Sequence, residues 1–171
     1  EHTYLTAYHT NNFEFQDQNY RAIYQERLTP LDDKTQWIET VLMHGIVLRC
    51  TTLERTMVDV LDRPDRSGGW EEIIRSLDRV TIFDVSAAIN YALSLDRGSI
   101  IAKLGYFLEQ RPAYLKIDPA LINKLLPHIP KQPYYMDRKT VGQGTYFKKW
   151  QIIVPDHLHQ RQWEEPDEME H

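Results

Sequence analysis

The spacing of apolar residues changes period twice along the chain, and the changes divide it into three parts. Up to residue 50 the pattern is that of strands. Phe13-Glu14-Phe15-Gln16 and Tyr20-Arg21-Ala22-Ile23-Tyr24 alternate apolar and polar positions around Asp17-Gln18-Asn19, which predicts a hairpin. Residues 3–8 form a shorter, mixed run. Residues 37–43 and 46–50 are broken at His44-Gly45, and the second run is apolar enough to predict a central strand.

From residue 52 to 127 the apolar positions recur at helical spacing. Leu53, Met57, Val60 and Leu61 define a first helix, opened by a Thr51/Glu54 capping box and stopped by Pro64, with Gly68-Gly69 as the following turn. Trp70, Ile73, Ile74 and Leu77 define a second over 70–79, with Glu71 and Glu72 at the positive end of its dipole. Asp84 or Ser86 caps a third, with Ile89, Ala92 and Leu93 inward, closed by Asp96-Arg97-Gly98. Ser99 caps a fourth, running to Gln110 with Ile100, Leu104, Phe107 and Leu108 apolar, and Arg111-Pro112 ends it. Asp118-Pro119, an N-cap followed by Pro at N1, opens a fifth over 120–126. Residues 134–137 and 145–154 return to strand spacing and predict a hairpin around Gly142-Gln143-Gly144. The expected class is α+β: N-terminal strands, a central block of about five short helices, and a C-terminal β-hairpin completing the sheet. Residues 1–155 read as a single domain, and 156–171 as an acidic, flexible tail.

Composition and charge narrow the class. With 42% apolar residues in 171 the chain can bury a proper core. Its net charge of −5 comes from the end: residues 164–171 hold five acids and no Lys or Arg, which leaves 20 acids against 20 bases elsewhere. A stand-alone DNA-binding domain would carry a basic excess that is absent here. The single Cys50 excludes an internal disulfide framework and suits a reducing cytoplasm, and its apolar setting predicts a buried, inert thiol. No apolar stretch approaches the roughly 20 residues that span a bilayer, and no signal peptide is visible.

Candidate chemistry is sparse. Arg55, Asp59, Asp62 and Arg63 share the polar side of the first predicted helix at three- and four-residue spacing, which makes ion pairs the simplest account. The alternative is a metal-dependent nuclease or phosphotransferase using Asp59, Asp62 and Asp65, although a third carboxylate at defined spacing is missing. His157 and His159 lack a third ligand at useful spacing, and His2, His9, His44 and His128 are scattered. There is no Gly-x-Ser-x-Gly elbow, Walker-type loop or Gly-x-Gly-x-x-Gly. Basic residues concentrate once: Lys131, Arg138, Lys139, Lys148 and Lys149, opposed only by Asp137 and interleaved with Tyr134, Tyr135, Tyr146, Phe147 and Trp150. Such a ribbon either grips phosphate and stacks on bases or packs its aromatics inward. No catalytic residue, metal or cofactor is assigned. A third possibility is a plain protein-interaction domain whose acidic end docks a basic partner.

The string from Glu54 through Leu61-Asp62-Arg63-Pro64-Asp65 to Gly68-Gly69 also resembles the C-terminal domain of AbiEi-type antitoxins, of type IV (abortive infection) toxin–antitoxin systems. The resemblance continues through Trp70-Glu71-Glu72, Leu77 and Ala92-Leu93, and returns at Ala102-Lys103-Leu104-Gly105-Tyr106-Phe107-Leu108-Glu109. It ends more loosely at Lys148-Lys149-Trp150-Gln151-Ile152-Ile153-Val154. It covers roughly residues 3–155, with 54–69 and 102–109 its specific stretches. The resemblance implies a non-enzymatic cytoplasmic regulator that opposes a nucleotidyltransferase-type toxin without a necessary stable complex. It also implies autorepression of an operon through operator DNA, gripped by the full-length protein. An N-terminal winged helix-turn-helix would precede residue 1 and is absent from this chain. Arg55, Asp59, Asp62 and Arg63 become a signature surface on this basis, and the basic segment an accessory DNA or partner surface.

Overall fold

The computed structural model describes residues 3–7, 13–15, 18–24, 37–43, 45–111 and 117–160. It is α+β, in two compact units, Glu1–Gln36 and Trp37–His171. The acidic end, 161–171, lies outside the described residues.

The first unit holds β1 (Thr3–Ala7), β2 (Phe13–Phe15) and β3 (Gln18–Tyr24) in the order β1-β3-β2. The alternation-based hairpin is present, with Phe13 opposite Tyr20 and Phe15 opposite Gln18. β3 is central because β1 adds to its other edge in parallel.

The second unit opens with β4 (Ile38–Met43) and β5 (Ile46–Thr51), an antiparallel ribbon turned at Gly45, whose φ of +79° suits glycine. The expected central strand is not formed. Among the described residues β5 pairs with β4 alone, and Ile46 and Val47 are 63% and 67% exposed. An apolar run signals capacity for burial, and no second neighbour among the described residues uses it. Cys50 is exposed as well, against the buried thiol expected.

α1 (Leu53–Asp62) is capped one residue later than the capping box implied. The Thr52 hydroxyl accepts from the Arg55 amide at 3.3 Å, while Glu54 Oε1 accepts from the Asp84 amide at 3.0 Å. The shift also changes the buried face, which is Arg55, Met57, Val58 and Leu61, with Leu53 at 41% exposure. Gly68 and Gly69, at φ +79° and +88°, turn the chain into α2 (Trp70–Asp78), which buries Trp70, Ile73, Ile74 and Leu77 as the spacing predicts. Arg111, itself buried, donates to the carbonyls of Leu77 and Val80 at the end of α2. Asp84 caps α3 (Val85–Ser94) by accepting from the Ala87 amide at 3.0 Å.

α4 (Gly98–Glu109) is the centre of the unit. Residues 100–108 are all buried, so this helix is covered on every side rather than on one face. Ser99 lies inside its first turn instead of capping it, and its carbonyl accepts the Tyr134 hydroxyl at 2.6 Å. α5 (Pro119–Asn123) has the expected Asp118 cap and ends earlier than the pattern implied, with a 3-10 turn at Leu126–His128.

The C-terminal strands form a sheet of their own instead of completing the N-terminal one. β6 (Tyr134–Tyr135), β7 (Thr145–Phe147) and β8 (Ile152–Val154) take the order β6-β8-β7. β6 runs parallel to β8, so the hairpin is β7–β8, joined through the 3-10 turn Lys148–Trp150 with Gln151 at φ +52°. Gly142 and Gly144 belong to the connection into β7, where Gly144 lies against the Val154 backbone. α6 (Asp156–His159) follows. Among the described residues no helix is long and apolar enough to cross a membrane.

The sheet is fastened to α4 by Trp150. Its ring, fully buried, lies directly on Gly105, where a Cβ would overlap the Cζ3, Cη2 and Cε3 atoms. Its indole N–H donates to Glu109 Oε2 at 2.6 Å. A rigid ring held at both ends cannot retreat from an added methyl, and overpacking of this kind costs about 1–3 kcal/mol. Gly105→Ala is therefore expected to lower the urea midpoint by that amount at an unchanged m-value, and a shift below about 0.5 kcal/mol would contradict the close packing.

Candidate functional site

The charged face of α1 is turned onto its neighbours. Arg55, only 4% exposed, places Nε 3.2 Å from Asp59 Oδ2 and its guanidinium 5.6 Å from the centre of the Tyr91 ring. Tyr91 of α3 donates its hydroxyl to Asp59 Oδ1 at 2.7 Å and meets the Trp37 ring at 4.9 Å. Both oxygens of Asp59 thus have partners from two helices. Burial raises the Asp59 pKa above the ordinary carboxylate range, against the opposing pull of the Tyr91 hydrogen bond and the Arg55 charge.

One turn on, Asp62 Oδ2 lies 2.6 Å from Arg97 Nη1 and 3.4 Å from Arg63 Nε. Beside it Lys103 of α4, 8% exposed, donates from Nζ to the Leu61 carbonyl at 3.0 Å and sits 4.9 Å from the Trp70 ring. It caps the last turn of α1, where the carbonyls end without helical partners and the dipole favours a cation. Burial pushes the Lys103 pKa down to about 8, with Asp62 holding it up and the Arg97 and Arg138 charges lowering it further. Lys103, Arg97 and Tyr91 complete the charged cluster on α1, yet none is singled out as chemistry by the sequence. Their partners are 42, 35 and 32 residues away, and no local spacing reports such a contact.

The carboxylates do not assemble a metal centre. Asp65 leaves α1 on the 3-10 turn Pro64–Arg66, with its side chain 70% exposed and 3.8 Å from Arg66, while Asp59 and Asp62 are held by arginines. Among the described residues no three His, Cys, Asp or Glu side chains lie together as a cation would need. His157 and His159 fall on α6, where His159 Nδ1 is 3.0 Å from the Tyr106 hydroxyl.

The five basic residues of the C-terminal segment are separated into two groups. Parallel pairing of β6 with β8 carries Lys131 to the end of the sheet where Lys148 and Lys149 follow β7, and carries Arg138 and Lys139 to the opposite end. Lys149 is neutralised, with Nζ 2.6 Å from Glu109 Oε1. Lys131, Arg138, Lys139 and Lys148 are exposed and form no ion pair with another described residue. The interleaved aromatics mostly face the core. Trp150 lies under Gly105, Tyr134 reaches Ser99, and Phe147 meets Tyr106 and His159 at 4.8 Å each. Burial raises the Tyr134 pKa, so this phenol stays protonated. Tyr146, 44% exposed, is the aromatic of this segment left at the surface. The arrangement is thus four exposed cations around a short sheet, unpaired among the described residues, with one surface ring beside them.

No family model, curated protein or solved structure matches this chain.

The Lys103 environment sets a pH dependence with a definite sign. Below about 8 both folded and unfolded chains hold this proton; between about 8 and 10.5 the unfolded chain holds it more, so stability rises with pH. From about pH 7 to about pH 10 the wild type is expected to gain roughly 1–3 kcal/mol relative to Lys103→Met, measured by denaturant unfolding of both. A pH-independent difference between them would contradict the buried ammonium.

Proposed function

We propose that this chain is the antitoxin and transcriptional-regulator module of a type IV toxin–antitoxin system, opposing a nucleotidyltransferase-like toxin in the cytoplasm and assisting operator binding. One observation carries the reading. The two stretches with specific resemblance, 54–69 and 102–109, are distant in sequence and lie against each other as α1 and α4, with Lys103 on the Leu61 carbonyl at 3.0 Å. The signature charges are spent within the fold: Asp62 ties α1 to the start of α4 through Arg97, while Arg55 and Asp59 tie α1 to Tyr91 of α3. Contact with a partner then falls to side chains that are exposed and have no ion pair among the described residues: Arg138, Lys139 and Lys148, with Lys131.

The same ion pairs weigh against the nuclease or phosphotransferase alternative, since Asp59 and Asp62 would have to give up arginine partners before holding a cation. The plain interaction-domain reading differs in having no tie to a toxin.

Co-expression of the chain with a nucleotidyltransferase-like toxin, scored by growth, tests the proposal. Rescue of growth is expected. Replacing Arg138, Lys139 and Lys148 together by Ala is expected to weaken operator binding at least about tenfold at low salt, through lost phosphate contacts. A folded, expressed chain that gives neither rescue nor any contribution to operator binding would overturn the assignment.

A further inference from the structure

The carboxyl end of α1 gathers more positive charge than the fold uses. Asp62 Oδ2 receives Arg97 at 2.6 Å and Arg63 at 3.4 Å, and Lys103 donates to the Leu61 carbonyl at 3.0 Å. A fourth cation arrives from the C-terminal sheet. Met136, the residue after β6, lines a small apolar cavity with Leu61 and Phe107, so the chain passes the end of α1 just before Asp137-Arg138. The charges of Arg97 and Arg138 both reach Lys103. Four cations therefore meet the carboxylates of Asp62 and Asp137, an excess of two. Asp137 is committed to its own 3-10 turn, accepting from the Lys139 amide at 2.9 Å. The chain neighbours Asp96 and Lys139 carry opposite charges and leave the excess unchanged. Asp59, the next carboxylate on α1, is held by Arg55 and Tyr91.

One arginine neutralises Asp62, and Lys103 meets the negative end of the α1 dipole, so Arg63 and Arg138 exceed what stability requires. A guanidinium has five N–H donors, and among the described residues Asp62 takes one each from Arg63 and Arg97. Both side chains are nearly half exposed. Forks already held in place match the oxygens of a phosphate and lose little freedom on binding it. The buried Lys103 adds a charge from beneath that salt screens less than an exposed one. We propose that Arg63, Arg97 and Arg138 form a binding site for a phosphate monoester over the carboxyl end of α1, with Asp62 orienting two of the guanidiniums. The excess of two charges matches a phosphate dianion better than the single charge of a phosphodiester. The site goes beyond the regulator reading and does not depend on it.

The test follows the arginine Nε–H resonances of the intact chain by NMR while inorganic phosphate is added at constant ionic strength. Saturable shifts at Arg63, Arg97 and Arg138 are expected. Arg63→Gln with Arg138→Gln is expected to weaken phosphate binding at least about fivefold, through lost charge-assisted hydrogen bonds. Arg79→Gln with Lys124→Gln, which removes the same charge from exposed positions elsewhere, is expected to stay within about twofold of the wild type. Competition then separates the sources of phosphate. Adenosine monophosphate is expected to displace inorganic phosphate, and a DNA duplex without terminal phosphates is not. Displacement by that duplex alone would overturn the monoester and assign the three arginines to a phosphodiester backbone. Linear shifts that never saturate, or equal weakening in both double variants, would overturn the site. The wild-type map decides by itself where a variant fails to fold.

Discussion

The structure of the second unit depends on burying charge next to α1 without leaving any of it alone. An ionised carboxylate or ammonium taken out of water costs several kcal/mol unless opposite charge and hydrogen bonds replace the lost solvent. Arg55, Asp59 and Tyr91 meet that condition on one side of α1, and Asp62, Arg97 and Lys103 on the other. Each set draws a side chain from a different helix, α3 in the first case and α4 in the second. The polar side of α1 therefore fixes how three helices stand to one another. Removing Asp59 would cost the Arg55 ion pair and the Tyr91 hydrogen bond at once, whereas purely apolar packing would tolerate the loss of a methyl group more evenly.

The second coupling runs through α4. Residues 100–108 are buried all round, and α1, α3, α5 and the 3-10 turns Leu126–His128 and Lys148–Trp150 all pack on this helix. Gly105 lets the Trp150 ring lie on the helix backbone, and Glu109 satisfies both the indole N–H and Lys149. The short C-terminal sheet, two or three residues per strand, would not persist on its own ladder. It is held by this tryptophan and by the Tyr134 hydroxyl on Ser99. Consequently the exposed cations sit on a sheet rigidly tied to the helix that carries Lys103, and the Arg138 charge is felt by that lysine.

Local periodicity carried most of the secondary structure. α2 and its four buried residues, the Asp84 and Asp118 caps, and the hairpin of β2 and β3 all follow from spacing that a single turn or strand determines. What local pattern could not decide was which elements meet. Ile46–Thr51 reads as central and stands in a two-stranded ribbon, because composition does not name a neighbour. The segments flanking Gly142 read as one hairpin, yet β6 and β7 each pair with β8. The Thr51/Glu54 capping box failed by one residue because Glu54 found a better use at the Asp84 amide, thirty positions away.

For the candidate site the same division applies. The charges on α1 were legible as a cluster, and their i,i+4 pairing was confirmed between Arg55 and Asp59. Tyr91, Arg97 and Lys103 were illegible as members, since only tertiary packing brings them in. The basic segment read as one patch and is two groups, because a parallel pair of strands sends its sequence neighbours to opposite ends of the sheet. The most direct measurement of the central claim, that α1 spends its charges on holding helices together, is a double-mutant cycle of Asp59→Ala and Tyr91→Phe read by denaturant unfolding. Coupling of about 1 kcal/mol or more is expected for a hydrogen bond to a partly buried carboxylate. Additivity within about 0.3 kcal/mol would contradict it.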